Sequence, residues 1–336
     1  MGKRSASRAA KHDVAEGSES RSGEPMTMND ASCCVVSETT VPAAGLDLHL
    51  YIAQPTEPAW ARLVIFHGYG DHAGRYLHFM RWMANRGVRC EAIDQRGHGR
   101  SPGRRGFVRK WDEFIDDARV LLGPRPPGGD AAPPLFVLGH SHGGLIAAAA
   151  GERGLLQDAG VAGVILASPY LATRLHAPAY KRLIAHVANR LAPWLRVRNG
   201  LQRGMITSDP EMSREDADDP LMHRSATPRW YITMRRVQAE VMQGAARFTL
   251  PVLCLVGKSD IVADPHAGEA FYRRCASADK SFAAYPDQVH ELLREAGREA
   301  VFRDILAWLR ARAARDIPGV RSANPNASET SDQKLA

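Results

Sequence analysis

The stretch LFVLGHSHGGLIA at residues 135–147 decides the fold. Its first four residues are apolar, as in a buried strand, and the small residues after Gly143 are typical of a closely packed helix. Between them, the pattern G-x-S-x-G predicts a sharp strand-to-helix turn that lifts the hydroxyl of Ser141 off the sheet. Because neighbouring chain approaches such a turn closely, Gly139 and Gly143 must lack side chains. The segment therefore predicts Ser141 as a nucleophile.

Short apolar runs alternate with helical patterns on both sides of this turn. We predict strands at residues 46–52, 62–66, 88–93, 135–138, 161–166, 251–256 and 281–285. We predict helices at residues 76–86, 111–122, 144–151 and 299–314. This alternation is typical of an α/β fold, so we expect a mostly parallel central sheet with helices on both faces.

The strand pattern is interrupted once along the chain. Residues 171–246 show helical spacing and no strand candidate, which predicts a helical cap inserted into a core formed by residues 40–170 and 247–318. Residues 1–39 and 319–336 are polar, with few apolar residues to bury, so we predict two disordered tails.

The first helix predicted in the cap has an apolar face. Its apolar residues are Tyr180, Leu183, Ile184, Val187, Leu191, Trp194 and Leu195. Pro193 is expected to end or kink this helix. The face has two interpretations, which the sequence leaves open. It packs on the core, or it docks at a lipid surface with help from cationic side chains on its flanks.

Composition excludes several classes of protein. The chain has 336 residues, 44% hydrophobic and 24% charged, which excludes fibrous and wholly disordered proteins. Its five cysteines show neither a disulfide framework nor zinc-ligand spacing. No apolar run reaches the roughly 18 residues of a membrane span. The net charge of +7 comes mostly from scattered arginine without a nucleic-acid-binding motif, so we expect no nucleic-acid partner.

A nucleophilic serine requires an acid and a base, which follow it in this kind of fold in the order Ser, Asp or Glu, His. Asp260 comes shortly after the strand predicted at 251–256, and His290 follows the strand predicted at 281–285. Both positions lie beyond the carboxyl ends of strands, where such folds assemble their sites. We therefore predict the triad Ser141, Asp260 and His290. The alternatives are Asp264 or Asp287 for the acid and His266 for the base.

Acyl transfer also needs two amide donors for the oxyanion that forms on the substrate. The first is expected from the backbone N–H of His142, directly after the nucleophile. The second is expected from the glycine-rich turn at residues 67–72, where Tyr69 is the best-placed donor. The predicted oxyanion hole therefore consists of Tyr69 and His142.

Four segments together resemble the α/β-hydrolase superfamily and, within it, the monoacylglycerol lipase and lysophospholipase group of serine hydrolases. They are HGYGDHAGRY at residues 67–76, DQRGHGRS at 94–101, GHSHGG at 139–144, and Asp260 with His290. The sequence DPL at 219–221 also has a counterpart in the cap of that group, and the resemblance covers roughly residues 41–314. The chain departs from the group at His142, where Met is usual, and at Tyr69, where a small or apolar residue is frequent. We expect both changes to alter the pocket wall.

The resemblance implies hydrolysis of a lipid-like monoester, a monoacylglycerol or a lysophospholipid, through an acyl-enzyme intermediate. It implies the same triad and oxyanion hole, and a supporting structural role for residues 94–101. No metal or organic cofactor is expected. The expected partner is a lipid or small-molecule ester in the cytoplasm, with peripheral membrane contact through the cap as one interpretation. The oligomeric state stays open.

Three alternatives use the same scaffold. The triad could cleave thioesters or transfer the acyl group to an acceptor other than water. It could cleave amides or small peptides. The chain could also be a non-catalytic binding module on a hydrolase fold.

Overall fold

The computed structural model of the protein describes residues 34–123, 132–175, 178–201 and 204–314. We number the strands in chain order. They are β1 (Cys34–Ala43), β2 (Leu46–Pro55), β3 (Ala61–Phe66), β4 (Val88–Ile93), β5 (Leu135–His140), β6 (Val161–Ala167), β7 (Val197–Arg198), β8 (Ser225–Ala226), β9 (Val252–Gly257) and β10 (Lys280–Tyr285).

One sheet contains all of these strands except β7 and β8, which pair with each other. Its order is β1-β2-β4-β3-β5-β6-β9-β10. The strands β1, β2 and β4 pair antiparallel, and the pairs from β4 to β10 are parallel. The structure therefore confirms the mostly parallel sheet, and each predicted strand is present within two residues of its predicted start.

The sequence pattern does not predict β1. Residues 34–39, assigned above to the N-terminal tail, pair with β2 in a register that runs from Cys34 opposite Pro55 to Ala43 opposite Leu46. This edge strand is mostly exposed, so it lacks the apolar pattern by which strands are recognised. The core therefore begins at residue 34 rather than 40. Residues 1–33 and the tail predicted at 319–336 lie outside the described residues.

The helices are also numbered in chain order. They are α1 (Leu77–Ala84), α2 (Asp112–Leu122), α3 (His142–Glu152), α4 (Leu155–Asp158), α5 (Ala179–Leu191), α6 (Pro210–Asp218), α7 (Pro228–Gly244), α8 (Pro265–Arg274) and α9 (Arg298–Ala313). The four helices predicted in the core are α1, α2, α3 and α9. In the described part of the chain, no helix is both long enough and apolar enough to cross a membrane.

Helices cover both faces of the sheet, as predicted. Side chains alternate across β3, so Leu63 and Ile65 pack into one apolar cluster with α1 and α9. Val64 and Phe66 pack into the other cluster, with α2, α3 and α8. The two clusters hold the sheet as the middle layer of three, and the carboxyl ends of its parallel strands carry the loops discussed below.

The segment between β6 and β9 contains α5, α6 and α7, where the helical cap is predicted. The helix α7 joins the core cluster through Trp230, Met234, Val237 and Val241, whereas α5 contributes no buried residue. At the base of the cap, Thr173 forms an isolated antiparallel bridge with Ala263, in the loop after β9. This segment, called the cap below, therefore has an inner helix packed on the core and an outer helix exposed to solvent.

Candidate active site

The turn between β5 and α3 holds Ser141 in an unusual backbone conformation. Its φ is 52° and its ψ is −114°, a region that residues other than glycine rarely adopt. A Cβ at Gly143 would overlap the carbonyl oxygen of Phe66, and a Cβ at Gly139 would overlap that of Gly143. The close approach predicted for these glycines is therefore present. It lets the helix begin directly beneath Ser141.

The imidazole of His290 lies between Ser141 and Asp260. Its Nε2 is 2.8 Å from Oγ of Ser141, and its Nδ1 is 2.7 Å from Oδ2 of Asp260. The other carboxylate oxygen of Asp260 accepts hydrogen bonds from the amides of Val262 at 2.7 Å and Ala263 at 3.0 Å. Ser141, His290 and Asp260 are 7%, 4% and 2% exposed. The structure thus brings together the three residues predicted from three distant segments.

The electrostatic surroundings of His290 favour its charged form. Burial alone would lower the pKa of His290, but the charge and hydrogen bond of Asp260, with smaller contributions from Glu291 and Asp71, raise it above the ordinary histidine value. A raised pKa makes His290 a stronger proton acceptor once it is neutral. It also means that the neutral form is available only at higher pH.

The alternative acid and base residues lie elsewhere. Asp264 caps α8, where its carboxylate accepts a hydrogen bond from the amide of His266 at 3.0 Å. His266 is exposed in the first turn of that helix, and Asp287 is exposed in the turn after β10. These positions match the roles of ordinary cap and turn residues.

The two predicted oxyanion donors lie beside Ser141. His142 is the first residue of α3, so its amide is at the helix N-terminus, where no intrahelical acceptor is available. Tyr69 follows Gly68, whose position is so close to the serine that a Cβ on it would lie 3.5 Å from Cβ of Ser141. Both amides therefore belong to segments in contact with the nucleophile.

The side chains of these two residues point away from that role. The ring of Tyr69 stacks on Trp230 at 3.5 Å between centroids, and its hydroxyl donates to the carbonyl of Gly106 at 3.0 Å. The imidazole of His142 is fully buried against Trp111 and accepts a hydrogen bond from Nε1 of Trp230 at 3.3 Å. Burial lowers the pKa of His142 to about 3, so this side chain is neutral. Tyr69 forms part of the cavity wall as expected, but His142 lies behind that wall.

Comparison with known proteins identifies the family. Residues 57–297 match the family Serine aminopeptidase, S33. The chain belongs to this S33 family. It is 31% identical to the monoacylglycerol lipase of Mycolicibacterium smegmatis over 74% of this chain and 87% of that protein. It is 30% identical to the human monoglyceride lipase over 78% of this chain and 86% of that protein.

A solved structure of a similar protein supports the same family relationship. The S33 chain superimposes on the monoacylglycerol lipase of Paleococcus ferrophilus with a TM-score of 0.67 at 26% identity, covering 83% of this chain and 99% of the other. Together with the family match, this similarity confirms the predicted α/β-hydrolase fold. It also confirms the predicted class of enzyme, a serine ester hydrolase.

A cavity of about 790 Å³ opens above Ser141 and His290 in this S33 enzyme. The cap supplies most of its apolar wall, including Ile184, Leu195 and Met234. Another part of the lining is charged and includes Asp71, Arg75, Asp216 and Glu291. The lining therefore combines an apolar part with a charged part, called here the charged compartment.

Arg75 is the centre of the charged compartment. Its NH1 donates to Asp71 at 2.7 Å and to Glu291 at 2.9 Å. Its NH2 donates to Asp216 at 2.6 Å and to Glu291 at 2.8 Å, and its Nε donates to Asp216 at 3.1 Å. All five N–H donors of this guanidinium are thus directed at carboxylates. Arg294 adds a second cation, 2.9 Å from Oδ1 of Asp216.

The charged compartment connects the cap to the loop that carries His290. Asp216 lies in the cap helix α6, whereas Glu291 directly follows His290. Asp71 accepts a hydrogen bond from the hydroxyl of Tyr76 at 2.8 Å, and the oxygen of that hydroxyl lies 2.8 Å from Nδ1 of His140. Sequence reasoning missed this cluster. Asp71 and Arg75 lie in the quoted segment 67–76, but no local pattern indicates that partners 141 and 216 residues away complete it.

Proposed function

We propose that this enzyme hydrolyses monoacylglycerols, with Ser141 as the nucleophile, His290 as the base and Asp260 as the acid. The observation that carries the proposal is the position of His290, within hydrogen-bond distance of both Ser141 and Asp260 at the floor of the cavity. The names of two relatives, a monoacylglycerol lipase and a monoglyceride lipase, support the same substrate.

The proton moves through His290 in both halves of the reaction. Nε2 of His290 accepts the proton of Ser141 as Oγ attacks the ester carbonyl, and Asp260 holds Nδ1–H and stabilises the imidazolium. His290 then gives the proton to the glycerol oxygen, which leaves. In the second half, His290 removes a proton from water, the hydroxide attacks the acyl-enzyme, and the fatty acid departs as Ser141 recovers its proton.

The negative charge that develops on the carbonyl oxygen needs donors fixed in advance. In this proposal the amides of Tyr69 and His142 supply them, and the N-terminus of α3 adds a favourable dipole. The stacking of Tyr69 on Trp230 restrains the loop that presents the first amide. The buried imidazole of His142 restrains the second, because it fixes the start of α3 against Trp111.

The charged compartment favours a neutral alcohol over a phosphate-bearing head group. Because every N–H donor of Arg75 is engaged by a carboxylate, a phosphate could bind Arg75 only by displacing one of them. The three carboxylates outnumber the cations Arg75 and Arg294 and offer acceptors to hydroxyl groups. Among them, Oδ2 of Asp216 has no hydrogen-bond partner among the described residues. We therefore favour a monoacylglycerol over a lysophospholipid, with the acyl chain along the apolar cap wall.

The outer helix of the cap supports contact with a lipid surface. Leu183 and Leu191 in α5 are 67% and 75% exposed, and neither lines the cavity. Of the two interpretations of this apolar face, the exposure of α5, which has no buried residue, favours docking at a lipid surface over packing on the core. We propose that the face docks at the membrane that holds the substrate. A cytoplasmic location for this encounter stays a prediction.

A head-group panel tests the proposal. The substrates share one acyl chain and differ in the leaving group: a monoacylglycerol, a lysophosphatidylcholine, a lysophosphatidate and an aminoacyl arylamide. We expect the monoacylglycerol to be cleaved fastest, lysophosphatidate to be cleaved at least tenfold more slowly, and Ser141→Ala to remove all turnover. Faster cleavage of the arylamide would contradict the ester assignment, and activity retained by Ser141→Ala would contradict the nucleophile.

A further inference from the structure

A second, smaller cavity lies between the cap and the core. Its volume is about 370 Å³, and it shares no lining residue with the cavity above Ser141. Its walls come from residues 109–112, which lead into α2, and from the cap helices α5 and α7. Because this cavity is separate from the triad, ester hydrolysis does not account for it.

The lining of this cavity is strongly cationic. It includes Arg109, Lys110, Arg229 and Arg236 but one carboxylate, that of Asp112. The charge of Asp112 is already engaged, since Oδ1 lies 2.7 Å from Arg153, outside the lining. The cavity wall therefore carries an excess of positive charge.

Two of these cations are not neutralised by carboxylates. The hydrogen bonds of Arg229 go to neutral acceptors, Oδ1 of Asn189 at 2.7 Å and the carbonyl of Arg109 at 3.3 Å. Lys110 forms no ion pair within the part of the chain that the structure describes. By contrast, Arg109 pairs with Glu113 at 2.6 Å and Arg236 with Glu240 at 3.3 Å. Lys110 and Arg229 are thus available to an anion without the loss of an existing ion pair.

A buried donor in the same wall lacks an acceptor. Trp111 lines the cavity and is 1% exposed, yet its indole Nε1 has no hydrogen-bond partner among the described residues. A buried N–H that lost its hydrogen bond to water costs free energy unless another acceptor replaces it. An anion in the cavity would be such an acceptor.

Two helices also begin at this cavity. The helix α2 starts at Asp112, directly after Trp111, and α7 starts at Pro228, directly before Arg229. The N-terminal end of a helix carries a partial positive charge and favours anions. The dipoles of α2 and α7 therefore add to the charge of the side chains.

We propose that this cavity, called here the anion site, binds the phosphate group of a ligand. Lys110 and Arg229 would pair with the phosphate, and Nε1 of Trp111 would donate to one of its oxygens. Phosphate suits this set better than a carboxylate, because it presents more acceptor oxygens and up to two charges. The ligand has two possible sources, a phospholipid head group or a soluble phosphate ester. Asn189 in the lining belongs to α5, the helix proposed above to contact lipid, so the lipid source is the one we favour.

Direct binding of phosphate is the first test. Calorimetry with inorganic phosphate and with glycerol 3-phosphate compares the wild type with Lys110→Gln/Arg229→Gln and with Trp111→Phe, which removes the N–H but keeps an aromatic ring. We expect each variant to weaken binding about tenfold. The matched control is Arg303→Gln, an exposed arginine on α9, which should bind as the wild type does. Absence of phosphate binding by the wild type, or equal binding by the double variant, would overturn the proposal.

Vesicle sedimentation then distinguishes the two sources. Neutral phosphatidylcholine vesicles are compared with vesicles that also contain phosphatidic acid. If the double variant loses its preference for the acidic vesicles, the lipid head group is the ligand. If it loses phosphate binding but keeps that preference, the anion site is supported and takes a soluble phosphate. Hydrolysis of a dissolved short ester should be unchanged in the double variant, because neither residue lines the cavity above Ser141, so failure here and failure of the proposed hydrolysis are distinguishable.

Discussion

The floor of the cavity above Ser141 and the outer cap helix α5 differ in how far their side chains are buried. At the floor, Ser141, His290 and Asp260 are almost fully buried and satisfy one another's hydrogen bonds. The helix α5 buries none of its residues, and its leucines lie in solvent. The floor is therefore determined by contacts inside the protein, whereas Leu183 and Leu191 of α5 are exposed and lie outside the cavity lining. Changes at the floor should affect every substrate, and changes at these two exposed leucines should affect only substrates held in lipid.

The largest effect is expected from Asp260→Asn. The amide cannot stabilise the imidazolium of His290 and favours the wrong tautomer, so kcat should fall by about 10⁴-fold. Steady-state hydrolysis of a short nitrophenyl ester measures this loss. The matched control is Asp264→Asn at the cap of α8, which should change kcat by less than about twofold. If the two variants lose activity equally, Asp260 is not the acid.

A second substitution tests the charged compartment, in which Arg75 links Asp216 of the cap to Glu291 beside His290. Arg75→Met leaves three buried carboxylates without their shared cation, so the free energy of unfolding should fall by about 3–5 kcal/mol. Urea denaturation followed by circular dichroism measures it. Arg303→Met, which removes an exposed ion pair at 3.7 Å, should cost less than about 1 kcal/mol. A loss as small for Arg75→Met would show that the charged compartment does not hold the cap on the core.

On the outer helix, the double variant Leu183→Ser/Leu191→Ser should separate lipid contact from chemistry. Removing two leucines from the interface should cost about 2 kcal/mol, or roughly thirtyfold in the partition onto phosphatidylcholine vesicles. The kcat/KM for a dissolved short ester should stay within about twofold, because neither leucine lines the cavity. Val35→Ser, an exposed apolar position on β1, is the control. Unchanged vesicle binding would argue against docking through α5.

The smallest expected effect is a shift of the pH profile of kcat/KM toward higher pH. His290 acts as a base only when neutral, and its pKa is raised by Asp260 against the opposing effect of burial. We therefore expect kcat/KM to fall about tenfold per pH unit on the acid side of a midpoint above the ordinary histidine value of about 6.5. Stopped-flow hydrolysis of a neutral ester between pH 5 and 9 measures the profile. A midpoint below 6.5 would mean that Asp260 does not govern the titration of His290.

The floor could be predicted from the sequence because its chemistry imposes local patterns. The elbow around Ser141 needs glycines where the chain approaches closely, and Asp260 and His290 each follow an apolar strand at a short distance. Such constraints are visible in one segment at a time. The order of the segments then fixes which strand ends meet.

Other features depend on contacts that no single segment reveals. The edge strand β1 is mostly exposed and lacks an apolar alternation, so it resembled a tail. The partners of Arg75 come from α6 and from the loop after His290. The apolar face of α5 fits both a buried and an exposed helix, since periodicity gives the face but not what covers it.

The chain enters the cap beside the loop that carries Asp260. Thr173 bridges Ala263, and the amides of Val262 and Ala263 are the ones that hold the carboxylate of Asp260. The first residues of the cap therefore belong to the machinery that orients the base. A cap transplanted from another S33 protein should accordingly be joined beyond Thr173, because a junction nearer β6 would replace a support of the acid together with the substrate wall.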